Sequence, residues 1–273
     1  MEGDDALMVT VSVFRAGDGR TGEERLAAAA RLAGYREMDE KETVPRELPA
    51  APACAAERTE LWQIARTERG KPYFPNRPEV HFSISHSGEL WVCAFSGRPV
   101  GVDVQQHVKK RGEGDREAAG RFGRMADRFF HPREAVWVRE EPYERFFRIW
   151  TAKESYVKYT GEGIGAGFSQ FSTAPEARRP GPGEPVFAGA ADRGRGSEKV
   201  RFFSTRIDWD DPAGRAFCGE AFFGETSFGE VSFGPASAAP TGGLRPPAYT
   251  LCVCYEDTEG PVRILYFDEI SDN

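Results

Sequence analysis

The stretch YERFFRIWTAKESYVK, residues 143–158, constrains this chain more than any other segment. At about 100° per residue, Tyr143, Phe146, Phe147, Trp150 and Val157 fall on one side of a helix, and that side must be buried. Glu154 falls among them, and Lys158 follows one turn later. The ordinary reading of such a pair is a solvated Glu–Lys contact, worth a few tenths of a kcal/mol. The surrounding aromatics argue against it. A carboxylate aimed at an apolar interior is costly unless a cation or hydrogen-bond donors meet it. Gly161, just past the last turn, is a helix-ending signal.

The clearest β region precedes this helix. HFSIS (81–85) alternates, a turn at Ser87-Gly88 leads into LWVCAF, and SGRP turns again into VGVDVQ. These predict three short strands of a meander. On the last, Val102 and Val104 point one way and Asp103 and Gln105 the other. Further strands are predicted at LMVTVSVF (7–14) and EKVRFFSTRID. The closing AYTLCVCYEDTEGPVRILYF reads as a hairpin turning at DTEG. Helical pattern covers GEERLAAAARLAGYREM and two segments between 116 and 140. The glycines at 161, 163, 165 and 167 follow a helix rather than a strand, so they do not fit a dinucleotide fingerprint. Residues 173–248 are rich in Pro and Gly and predict a long, partly disordered excursion with one strand in it.

An Asp and a Gln on one strand face, with a Glu on the next helical region, supply hard oxygen ligands. Mg²⁺ suits such a set, because it takes one or two carboxylates and completes its shell with water and phosphate oxygens. Lys158 would sit over the same phosphate. An Asp and a Glu each paired locally at the surface remains the commoner outcome for these residues taken alone.

Bulk properties narrow the classes. The 273 residues suit one large or two modest domains, with 40% hydrophobic and 29% charged residues. No apolar run reaches transmembrane length, and the acidic start lacks the character of a secretion signal. Five cysteines without a CxxC pair and four histidines disfavour a zinc site and fit reduced thiols in a cytoplasm. A net charge of −7 disfavours a general nucleic-acid binder. Basic residues cluster locally, at 109–111 and at Arg116, Arg121, Arg124, Arg128 and Arg133.

GVDVQ, FFHPRE and WTAKESYVK, in this order and spacing, with RGKPYFP and HFSISHS upstream, resemble the signature of the surfactin-type 4′-phosphopantetheinyl transferases. The resemblance runs through residues 66–172. It implies an α+β fold, a pseudo-twofold pair of similar lobes. Each lobe is a small antiparallel sheet with helices, and the active site lies in the cleft between them. The lobes would be 1–100, on the coenzyme A side, and 101–273, bearing the metal and catalytic motifs.

The implied activity is transfer of 4′-phosphopantetheine from coenzyme A, the donor substrate, to a serine of an apo acyl or peptidyl carrier protein, with Mg²⁺ on the pyrophosphate. Asp103, Gln105 and Glu154 would hold the metal. Glu154, Lys158 and Glu134 would be catalytic, Glu134 approaching the metal or its water. Gly70, Lys71 and Pro72 would border the adenine and 3′-phosphate. Ser85 and His86 would hold the 3′-phosphate and pyrophosphate, and Lys158 the phosphates. No nucleic-acid or membrane partner, a monomer and a cytoplasmic location are the accompanying expectations.

Three departures stand out. Gln105 occupies a position where many members have an acid. The first 60 residues lack a basic helix, a role open to Lys41 or Arg46. The 173–248 excursion exceeds what the family needs. The alternatives are a non-catalytic coenzyme A or carrier-protein binder of the same fold, and a magnesium phosphohydrolase.

Overall fold

The computed structural model describes residues 8–35, 63–163, 167–173, 200–208, 248–256 and 262–267. Lys41, Arg46, Cys54, Cys218 and nearly all of the 173–248 excursion lie outside the described residues. Nine strands and four helices are described. They run β1 (Val9–Arg15), α1 (Gly22–Leu32), β2 (Ala65–Arg66), β3 (Pro72–Tyr73), β4 (His81–Ser87), β5 (Leu90–Ser96) and β6 (Val100–Gln106). Then follow α2 (Asp115–Phe129), α3 (Pro132–Glu140), α4 (Pro142–Thr160), β7 (Val200–Asp208), β8 (Ala248–Glu256) and β9 (Val262–Phe267). The fold is mixed α+β.

Strands β4-β5-β1-β9 form one sheet and β6-β8-β7 another, with β2-β3 a small ribbon. The meander is therefore two strands rather than three. β4 and β5 pair, but β6 leaves for the second sheet. The predicted C-terminal hairpin does not form. β8 lies between β6 and β7, whereas β9 runs parallel to β1. The first sheet is thus not purely antiparallel, and β9, although last in the chain, joins the sheet of β1, β4 and β5.

Alternation explains the layering. Val9, Val11 and Val13 of β1 and Val92 of β5 bury against Val102 and Val104 of β6 and Leu251 and Val253 of β8, so the two sheets share one core. Phe14, Trp91, Cys93 and Phe95 face the other way and are covered by Leu26, Ala29 and Ala30 of α1, with Phe74 and Phe82. A capping box between Thr21 and Glu24 starts α1. The outer face of the second sheet carries Cys252 and Cys254, which pack with α2–α4. The cysteines at 93, 252 and 254 are buried free thiols.

Helix α4 is the centre of that layer. The aromatic stripe is there: Phe122 packs tilted against Phe146 at 4.7 Å, and Phe130 stacks on it at 5.1 Å. Each buried phenyl ring contributes roughly 1.5–3 kcal/mol. The stripe is not the helix's only buried face, since Ile149, Ala152 and Ser155 are also inaccessible. Gly101 explains this. A Cβ built there would lie 1.9 Å from the Ser155 carbonyl oxygen and 2.5 Å from the Tyr159 nitrogen. The backbone of α4 therefore rests directly on β6, at a spacing only glycine permits. Gly161, with φ of 71°, ends the helix in the left-handed conformation.

Candidate active site

Close contact between β6 and α4 brings Asp103, Glu154 and Lys158 together. Asp103 is 6% exposed. Its Oδ1 accepts from Ser85 Oγ at 2.7 Å and Lys158 Nζ at 2.9 Å. Lys158 Nζ also donates to the Val102 carbonyl at 3.1 Å. Asp103 Oδ2 is buried and has no hydrogen-bond partner among the described residues. Burial pushes the Asp103 carboxyl above its ordinary range, and Lys158 acts in the opposite direction. Glu154 is partly buried. Burial first, then the Asp103 charge, raises its carboxyl, while Lys158 lowers it. Lys158 pairs with Asp103 alone, while Glu154 lies near enough to feel both charges, an arrangement short of positive charge.

That imbalance is what a hard cation would correct. A buried, unpartnered carboxylate oxygen beside a second acid fits Mg²⁺, which needs only one or two protein carboxylates. Gln105 lies on the same strand face as Asp103, and its amide nitrogen reaches the Gln106 carbonyl at 3.5 Å. Among the described residues no group of three or more His, Cys, Asp or Glu is positioned to hold a metal. A cation here would depend on Asp103, Glu154 and ligands from outside the chain.

Glu134 differs from the sequence expectation. It is fully buried, and its carboxylate forms an ion pair with Lys153 at 2.8 Å, both side chains inaccessible. Oε2 also accepts from the His131 amide, closing the capping box of α3. Oε1 accepts from Thr173 through its amide at 2.6 Å and its hydroxyl at 3.0 Å. Four donors fill a carboxylate's four acceptor positions, leaving none for a metal or its water. Lys153 in turn donates to the Phe168 and Phe171 carbonyls at 2.7 and 2.6 Å. The pair ties α3, α4 and the turn at 168–173 into one unit. Sequence reasoning missed Lys153. The available signal was its place beside Glu154, inside a helix buried on several sides.

Ser85 and His86 part company because successive strand residues face opposite ways. Ser85 turns to Asp103, whereas His86 is exposed on the other face, opposite Trp91. Lys71 reaches across to α4, donating to the Tyr159 carbonyl at 2.6 Å with its aliphatic stem against Gly161. Burial holds its ammonium down, to about 8. Gly70, with φ of 88°, and Pro72 flank it in the β2–β3 turn. The 66–72 loop and the C-terminal end of α4 are therefore in contact.

Comparison with known proteins shows what the chain is similar to. A profile of the 4′-phosphopantetheinyl transferase superfamily matches residues 99–191. The 4′-phosphopantetheinyl transferase Sfp of Bacillus subtilis is 33% identical over 114 residues, covering 40% of this chain and 46% of that protein. The 4′-phosphopantetheinyl transferase gsp of Aneurinibacillus migulanus is 37% identical over 103 residues, covering 36% and 38%. HetI of Nostoc is 39% identical over 104 residues, covering 35% and 40%. The chain thus spans less than half the length of these relatives. Through residues 99–191 the chain is thus similar to the 4′-phosphopantetheinyl transferase superfamily and to these transferases.

Proposed function

We propose that this protein transfers 4′-phosphopantetheine from coenzyme A to a serine hydroxyl of an apo carrier protein. The observation that carries the reading is the Asp103–Glu154–Lys158 cluster: two neighbouring carboxylates, one with an unpartnered buried oxygen, and a single ammonium bonded to Asp103. A non-catalytic binder would have no use for an unsatisfied buried carboxylate, whose desolvation costs about 1–3 kcal/mol or more.

In this reading Asp103 and Glu154 would hold Mg²⁺, and Gln105 would contribute its amide oxygen directly or through a water. The ion supplies charge neutralisation on the donor's pyrophosphate. Lys158 shares that role by turning from Asp103 to a phosphate oxygen. The serine oxygen forms a bond to the phosphorus bearing pantetheine. The bond from that phosphorus to the bridging oxygen breaks, and adenosine 3′,5′-bisphosphate leaves. Glu154 would accept the serine proton through a carboxylate oxygen that the ion does not engage. Lys71, Gly70, Pro72 and His86 border the nucleotide part of the donor. The site lies in a cleft between two pseudo-symmetric lobes, and the protein acts as a cytoplasmic monomer.

The carrier docks beside the site on α2 and α3. Arg121 is not free for this, since both its Nε and an Nη donate to Glu113 at 2.8 Å. Arg124, Arg128 and Arg133 are exposed, together with Phe129 and Val136. Exposed arginines and exposed apolar side chains on α2 and α3 suit an acidic partner with an apolar contact of its own.

The deciding experiment incubates the protein with coenzyme A, Mg²⁺ and a panel of apo acyl and peptidyl carrier proteins. A mass gain of one phosphopantetheine on at least one carrier is expected. No gain on any carrier, with coenzyme A bound, would favour the non-catalytic alternative.

A further inference from the structure

Edge strands β4 and β6 belong to different sheets, yet three serines on one face of β4 join them. Ser83 Oγ accepts from the Val102 amide at 3.0 Å, and Ser87 Oγ accepts from the Gln106 amide at 3.0 Å. Between them, Ser85 Oγ donates to the Asp103 side chain at 2.7 Å. The outer two rungs bond backbone, so they set the register of β6 against β4. The middle rung alone bonds a functional group. Ser85 is 7% exposed, Ser83 4% and Asp103 6%, so water does not compete for these bonds.

A carboxylate on a strand rotates about two bonds and presents either oxygen. Here Ser85 and Lys158 both bond Oδ1, and Oδ2 is left buried without a partner. We propose that Ser85 is a positioning residue of the cation site, its hydroxyl holding Asp103 Oδ1 so that Oδ2 alone is offered to the metal. The inference rests on the reading of Asp103 as a cation ligand, and it moves Ser85 from the donor's phosphates to the carboxylate behind the ion. Lys158 cannot do this alone once it turns to a phosphate, which leaves Ser85 as the remaining clamp. Outer partners of this kind typically govern about 10–100-fold in metal affinity.

The test uses Mn²⁺ as the probe, titrated into the full-length protein at saturating coenzyme A, with free Mn²⁺ read by electron paramagnetic resonance. Ser85→Ala is expected to weaken Mn²⁺ by about 10–100-fold. Ser85→Thr, which keeps the hydroxyl, should recover most of the affinity. Ser83→Ala removes a register rung without touching Asp103 and should lower stability while leaving Mn²⁺ affinity within about threefold, below the effect expected of an outer-sphere partner. Coenzyme A affinity without metal should be the same in Ser85→Ala and the wild type.

Wild-type Mn²⁺ affinity in Ser85→Ala would overturn the proposal. So would an equal loss in Ser83→Ala, or a loss of metal-free coenzyme A affinity in Ser85→Ala with Mn²⁺ affinity intact. Should Ser85→Ala not fold, the Ser85→Thr and Ser83→Ala comparison still decides: Thr binding Mn²⁺ worse than Ser83→Ala overturns it. A wild type that binds Mn²⁺ in this hydroxyl-dependent way, but modifies no carrier, would end the transferase reading and leave the role of Ser85 standing.

Discussion

Glu134 and Lys153 meet at 2.8 Å with neither side chain exposed, and each has its remaining hydrogen-bonding capacity filled by backbone or Thr173. Breaking such a pair from one side leaves an uncompensated buried charge, at about 3–5 kcal/mol, whereas removing both partners costs less. Lys153→Met and Glu134→Leu are each expected to destabilise by that amount. The double variant should be more stable than the sum of the two losses implies. Urea unfolding of the four proteins measures the coupling. Purely additive losses would show that the pair does not act as a unit.

Gly101 sets the distance on which the site depends. A methyl group there meets the α4 backbone rather than a movable side chain end. Overpacking alone costs roughly 1–3 kcal/mol, and a shift of about 1 Å in catalytic groups costs on the order of 100-fold in rate. Gly101→Ala should therefore unfold at lower temperature and lose at least that much kcat/KM. Full activity in a folded Gly101→Ala protein would mean that α4 does not need this contact to hold Glu154 and Lys158.

Lys71 makes stability depend on alkaline pH. Its folded-state pKa, about 8, lies below the ordinary 10.5 because burial disfavours the ammonium. Between those values the unfolded chain binds more protons than the native one. Stability therefore rises with pH across that window, by roughly 1–3 kcal/mol in all. Lys71→Met lacks this rise. Urea midpoints from pH 7 to 10, taken as the difference between wild type and variant, should move in favour of the wild type as pH increases. Parallel curves would contradict the assigned burial of the ammonium.

Arg124 and Arg128 are exposed on α2 near Phe129. Reversing both to Glu should raise KM for an acidic carrier about tenfold or more at low salt, with little change in kcat. High salt should shrink the difference, as screening demands. Arg121→Ala should act differently, lowering stability through loss of the Glu113 pair. An unchanged carrier KM at low salt in the double reversal would make this face an ordinary solvated one.

Much of the site was legible because two periodicities carried it. Period two on β6 put Asp103 and Gln105 on one face, and the helix phase put Glu154 beside Lys158. Sequence could not show that Lys158 spans to Asp103, nor that Gly101 brings the two elements together, since both depend on how a helix lies on a sheet. The hairpin at 248–267 failed for a related reason: turn residues at DTEG permit a reversal but do not choose the partner of the strand that follows. β9 found an open edge at β1. At Glu134 the motif position specifies an acid without specifying what surrounds it. The serines at 83, 85 and 87 alternate plainly, but only the neighbouring edge of β6 shows that they face a second sheet.

The central claim is that Asp103 and Glu154 form a cation site completed by the donor's pyrophosphate. The most direct measurement is a Mg²⁺ titration by calorimetry, with and without coenzyme A, on the wild type and on Asp103→Ala, Glu154→Ala, Gln105→Ala and Gln105→Glu, with transfer assayed alongside. The wild type should bind Mg²⁺ weakly alone and at least tenfold more tightly with coenzyme A, since phosphate oxygens complete the shell. Asp103→Ala and Glu154→Ala should lose that joint binding and the activity while remaining folded. Gln105→Ala should lose far less, and Gln105→Glu should tighten Mg²⁺ on the free protein. Equal Mg²⁺ affinity with and without coenzyme A in the wild type, or full transfer by Glu154→Ala, would contradict the account.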